Sequence, residues 1–195
     1  MACPTQQYDE GCIPEIVTTI EDGGYTNIRS PVALDVCSDP STWPRPSSGG
    51  SKLWDAVVSI NMIHIAPKAC TTGLLAGAAA GLKKGGHLFI YGPFALNGLL
   101  EPESNKSFHE SLLARSGGQW GIRDAVMVAE LADEAGLELT TMTLMPANNF
   151  FVVLTKVREP GDPCSADKRA VHVAEIVSTV ITPTREAFVK ALATC

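Results

Sequence analysis

The chain has 195 residues, 45% hydrophobic and 18% charged, which suffices for one globular domain with a packed core and excludes a disordered chain. Its 15 Lys and Arg against 21 Asp and Glu give a formal net charge of -6, with no basic run longer than Lys83-Lys84, so no nucleic-acid partner is expected. The longest weakly polar stretch, Thr71 to Leu82, is far short of the about 20 residues that span a bilayer, and nothing at Met1 reads as a leader. The expectation is a soluble, intracellular, cytoplasmic protein with no membrane contact.

In chain order, Pro31 to Val36 is a short apolar run stopped by Ser38-Asp39-Pro40 and reads as a buried strand. A Pro, Ser and Gly loop over 41–51 follows. Trp54 to Ile60 is an almost unbroken apolar run, the pattern of a strand covered on both faces of a parallel sheet. Pro67 opens a helix whose expected stop is Lys83-Lys84-Gly85-Gly86, cations near the carbonyl end and then a glycine cap. His87 to Tyr91 is the third strand, broken by Gly92-Pro93.

Ser107 with Glu110 reads as a capping box over Phe108 and Leu112. A longer helix carries Ile122, Ala125, Val126, Ala129, Ala132 and Ala135 on its inner face, with Gly136 past its end. Leu137 to Met142 and Asn149 to Val157 read as strands joined by Pro146-Ala147-Asn148. Strands alternating with helices imply a Rossmann-like, mostly parallel α/β sheet with helices on both faces. After the linker Glu159 to Pro163, Val171, Val173, Ile176, Val177 and Val180 suggest an amphipathic helix, so 159–195 is expected to be a docked helical C-terminal extension of a domain over 1–158.

Open α/β sheets bind ligands at the carboxyl ends of their strands, so the loops after Val36, Ile60, Tyr91 and Met142 matter most. Asp35 and Asn61 end neighbouring strands and either cap the turns that follow or hydrogen-bond a nucleoside. His64 follows a hydrophobic strand and is either a general base or a hydrogen-bonded edge residue. Tyr91 and Trp120 offer flat rings that pack or face a ligand, and Asn148 and Asn149 hold a small polar ligand or satisfy their turn. His64, His87, His109 and His172 lack metal-ligand spacing, so no metal is expected. The six cysteines form no C-x-x-C pair and read as ordinary thiols; no G-x-S-x-G elbow frames a serine, and no glycine fingerprint supports a nicotinamide cofactor.

Asn61-Met62-Ile63-His64-Ile65-Ala66-Pro67, Tyr91-Gly92-Pro93-Phe94, Glu103-Ser104-Asn105, Trp120-Gly121-Ile122-Arg123-Asp124 and Met145-Pro146-Ala147-Asn148-Asn149 together resemble the methyltransferase-like-26 family, from about Asp9 to Val157. That family is similar to class I S-adenosylmethionine-dependent methyltransferases. The resemblance implies a Rossmann-like sheet with an antiparallel last strand and S-adenosylmethionine across the strand ends. Asp9, Asp35, Asn61 and Met62 would hold this cofactor, Tyr91, Trp120, Asn148 and Asn149 would face the acceptor, and His64 would be the base. The acceptor is a small molecule or a protein group.

Family members begin with a strand, a glycine-rich E-x-A-S-G-x-G-Q-H loop and a helix, all absent before Gln7, which stands where the family has an Asp. The domain is therefore expected to be incomplete at its N-terminus. The missing strand belongs mid-sheet, so two edges are expected to be left unpaired, to be explained by a truncated gene model, by an oligomer, partner chain or rearrangement that fills the gap, or by a remodelled pseudoenzyme whose C-terminal extension covers them. The rival function is a non-catalytic binding or interaction protein that keeps the methyltransferase fold.

Overall fold

The structure, a computed structural model, describes residues 10–46 and 53–159. It is built on a four-stranded sheet in the order β1 (Trp54–Ile60), β2 (Leu82–Gly92), β6 (Asn149–Lys156), β5 (Leu137–Met145). β1 and β2 are parallel, while β6 runs antiparallel to both β2 and β5. Three strands thus share one direction and a single reversed strand lies among them, a mixed but mostly parallel arrangement. A short parallel pair, β3 (Phe94–Ala95) and β4 (Arg123–Asp124), forms a second sheet beside it.

Period-2 burial along β2 and β6 sorts their side chains onto two faces. Leu88, Ile90, Phe150, Val152 and Leu154 turn to one core with Leu137, Leu139 and Met142. Two helices cover that face, α2 (Lys68–Gly81) through Leu74, Leu75, Ala78 and Ala79, and α4 (Ala125–Glu134) through Ala125, Val128, Ala129 and Ala132. The small residues of α2 let the two helices approach closely. α3 (Glu103–Ser116) packs separately, burying Leu112 against Ala95 and Ile122.

Several sequence expectations need correction. Pro31 to Val36 is not a strand: its apolar side chains have no partner strand beside them among the described residues, and Leu34 and Val36 pack onto the α2 core instead. Lys83-Lys84-Gly85-Gly86 does not end α2. The helix stops at Gly81, and these residues open β2, with Lys83 Nζ 2.6 Å from Asp55 Oδ1 across the register shift between Trp54 and Ala56. Ser107 and Glu110 are no capping box either, because α3 already begins at Glu103 and both lie inside it. β1 is not covered on both faces: Val58 and Ile60 are 60% and 63% exposed. Among the described residues β1 is paired on one side only.

One helix was not anticipated. α1 (Ile13–Asp22) carries Ile13, Ile16, Val17 and Ile20 at helical spacing, yet none of its residues is buried. Cys70, fully buried in α2, is disulfide-bonded, so not every cysteine is an ordinary thiol. The C-terminal helix and Asp9 lie outside the described residues.

Candidate ligand site at the carboxyl rim

At the end of β1 the chain turns back sharply. Asn61 takes a left-handed φ of 54°, which asparagine tolerates better than most residues, and its N–H donates to the Tyr91 carbonyl at 2.8 Å. That bond ties the carboxyl ends of β1 and β2 together. On the other side of β2, Gly92 pairs with Phe150, which puts Asn149 one residue beyond the same rim. Ala147 and Asn148, both at positive φ, form the connection into β6, and Asn149 Nδ2 donates to the Pro146 and Ala147 carbonyls at 3.3 and 3.4 Å. The asparagine amide thus closes its own turn.

His64 lies just behind this rim in the 3-10 turn Ile63–Ile65. It is 5% exposed, its ring sits edge-on to Phe108 at 5.7 Å, and its Nδ1 has no hydrogen-bond partner. A Cβ built on Gly92 would come within 3.3 Å of that nitrogen, so glycine at 92 is what leaves the ring its space. Burial, and then the positive charge of Arg123, lower its pKa to about 4. His64 is therefore neutral at pH 7.

Asn61, Met62, Tyr91 and Asn149 come together at one rim, with His64 behind them. Asp35 does not join them. It is exposed on the segment lying over α2, where its Oδ1 accepts the Cys37 N–H at 2.8 Å and Cys37 Sγ stands 3.3 Å from Cys70 Sγ.

Trp120 belongs to a different place. It lines a cavity of about 620 Å³ with Pro67, Lys68, His109, Leu113, Arg123 and Met127, between the N-terminal ends of α2 and α4 and the side of α3. The mouth carries exposed Lys68 and Gln119, whereas Arg123 and Ile122 at the floor are buried. The Arg123 Nη2 donates to the Ala66 carbonyl and, at 3.4 Å, to that of Gln119, while its Nε finds no partner. The neighbouring Gly121 N–H donates to the His64 carbonyl at 2.9 Å, so cavity floor and rim turn are one rigid unit. Of these residues only Trp120 carries a sequence signal for ligand contact; Arg123 lies three residues on, but its burial is a tertiary fact.

No group of three or more His, Cys, Asp and Glu among the described residues could hold a metal ion, and no described helix is long and apolar enough to cross a membrane. Residues 2–156 match a family model described as protein of unknown function (DUF938). Among solved structures, the chain is similar to the mitomycin 7-O-methyltransferase MmcR at 15% identity and a TM-score of 0.61, covering 76% of this chain and 40% of that one. It is similar to the apo form of the S-adenosylmethionine-dependent methyltransferase SibL at 18% identity and a TM-score of 0.58, covering 76% and 42%. Human N-acetylserotonin methyltransferase in complex with S-adenosylmethionine gives 16%, 0.53, and 75% and 39%. At these identities the likeness is one of fold, and the chain spans about two fifths of the length of each.

Proposed function

The chain belongs to the DUF938 family, and we propose that it is an S-adenosylmethionine-dependent methyltransferase-like protein of the methyltransferase-like-26 kind, acting in the cytoplasm on a small molecule or protein group. The observation that carries this reading is the rim where Asn61, Met62, Tyr91 and Asn149 meet at the carboxyl ends of β1 and β2, on a fold shared with S-adenosylmethionine-dependent enzymes. The bound donor would supply an activated methyl group on a sulfonium. The share left to this chain is alignment, with removal of a proton where the acceptor needs it.

Asn61 and Met62 would border the donor, and Tyr91, Asn148 and Asn149 would face the acceptor, with Trp120 on the wall behind. His64, uncharged at neutral pH, is the candidate to accept a proton or a hydrogen bond through Nδ1. A base of such low pKa is weak, which places most of the catalytic work on positioning. Calorimetric titration of the full chain with S-adenosylmethionine tests the reading: micromolar binding, about -8 kcal/mol, supports it, and no saturable heat overturns it.

A second reading, a non-catalytic binding protein that keeps the fold, is favoured by a specific observation. The Asp35 carboxylate is engaged in its own turn, and the cavity described above lies away from Asp35, Asn61 and Met62. Under that reading the chain binds a ligand but gives no transfer and no affinity for the donor.

A further inference from the structure

The cavity between α2 and α4 holds a charge that no carboxylate among the described residues answers, only the Ala66 and Gln119 carbonyls that accept from Arg123 Nη2. Arg123 is only 4% exposed, it makes no ion pair among the described residues, and its Nε is buried without a partner. Buried arginines are as a rule matched by a carboxylate or another anion, because a desolvated guanidinium is otherwise strongly unfavourable. The one acid lining the cavity does not serve. Both oxygens of Asp124 are taken by backbone donors, Oδ1 by the Val126 N–H at 2.8 Å and Oδ2 by the Gly98 N–H at 2.6 Å.

Other groups around the cavity carry the same sign or a free donor. Lys68 stands at the mouth at the start of α2, a helix with no side-chain cap on its first turn, so the positive end of its dipole adds to the lysine charge. His109 accepts the Ile122 N–H at 3.0 Å through Nδ1, which leaves its proton on Nε2 in the neutral ring. Trp120 Nε1 is buried with no partner. Leu113, Ile122 and Met127 supply apolar walls.

We infer that this cavity is a binding site for a small organic anion, a carboxylate whose charged end meets Arg123 and whose flat apolar body lies against Trp120, Leu113 and Met127. A carboxylate answers the guanidinium charge, and a volume of about 620 Å³ suits a ligand of one or two rings. The site shares Trp120 with the acceptor side of the proposed function, but an anion on Arg123 needs no methyl donor, so failure of donor binding would leave it untouched.

Benzoate and its uncharged isostere benzamide are the probes, titrated into the full chain without S-adenosylmethionine and followed by saturation-transfer NMR. Benzoate is expected to bind saturably and benzamide at least about tenfold more weakly, since only the first can answer the buried charge. Arg123→Met is expected to fold, because it removes an uncompensated charge, and to lose benzoate binding by at least about tenfold. Should that variant fail to fold, Lys68→Gln at the exposed mouth is expected to weaken benzoate and leave benzamide unchanged. Equal binding of the two probes, no saturable benzoate binding, or full benzoate affinity in a folded Arg123→Met protein would each overturn the assignment.

Discussion

Gly73→Ala decides where the segment 34–37 lies. A Cβ at residue 73 would stand 2.3 Å from the Val36 carbonyl oxygen, 3.0 Å from its carbon and 3.2 Å from Cys37 Cα, all of them backbone atoms that cannot rotate away. Relief requires the segment to lift, and with it Leu34 and Val36 from the α2 core. Such overpacking costs about 1–3 kcal/mol. The replacement also gains about 1 kcal/mol of helix propensity inside α2. The steric cost wins, giving a net loss of about 1 kcal/mol and a Tm lower by about 2–4 °C in a chain of this size. Gly77→Ala should act in the same direction, because its Cβ would meet Trp43 Cζ2 at 2.1 Å, whereas at Gly81 the nearest atom is Arg45 Nη1 at 2.9 Å, the far end of a long side chain that can give way at the cost of its bond to the Ala80 carbonyl, so a smaller change is expected. Thermal unfolding of the three variants followed by circular dichroism is the assay. A higher Tm for Gly73→Ala would mean that propensity alone is felt at this position and that the segment does not pack on α2.

The lowered pKa of His64 makes stability depend on acid. The unfolded chain binds the proton near its ordinary value of 6.5 and the folded chain only near 4, so the neutral ring's contribution is complete above pH 6.5 and is lost as pH falls toward 4. Between pH 7 and 5 this amounts to about 2 kcal/mol; urea midpoints for His64→Gln should show a dependence smaller by that amount, and an unchanged dependence would contradict the burial of the ring. Ile60→Lys should alter stability by less than about 0.5 kcal/mol, since that side chain is 63% exposed, and it should reduce self-association in sedimentation experiments by placing a charge beside an open edge. A large drop in Tm would show instead that the face around Ile60 is covered.

β1 and the core of β2 were readable as apolar runs bounded by turn residues, and β5 and β6 by the Pro146-Ala147-Asn148 connection between them. Local pattern misled where tertiary partners decide. Pro31 to Val36 has the composition of a strand, but a ladder needs a neighbour. Lys83 to Gly86 has the composition of a helix end, yet pairing with the start of β1 draws those residues into β2. α1 is the opposite case: Ile13, Ile16, Val17 and Ile20 carry helical spacing, but none of them is buried, so the pattern is weaker than that of the core elements. The rim residues were legible from the strand boundaries: Asn61 and Met62 follow β1, Tyr91 lies near the end of β2 and Asn149 opens β6. The cavity was not, since it brings Lys68 of α2, His109 of α3 and Arg123 of β4 together from three separated elements.

His64 and Arg123 share one electrostatic environment, and that gives the cavity a second readout. The His64 carbonyl accepts from Gly121 two residues before Arg123, and the arginine charge is one of the two causes that hold the imidazole neutral. An anion seated on the guanidinium would cancel much of that field while leaving the desolvation of the ring intact. With benzoate bound, the His64 value should therefore rise above 4 yet stay below the 6.5 of a solvated imidazole, because burial is the larger cause. The His64 Cε1 proton shift followed against pH, with and without saturating benzoate, measures this directly, and benzamide should leave the curve in place. A titration that does not move with benzoate bound would place the carboxylate elsewhere, since the Arg123 charge is one of the two causes of the lowered value and an anion seated on it must weaken that cause.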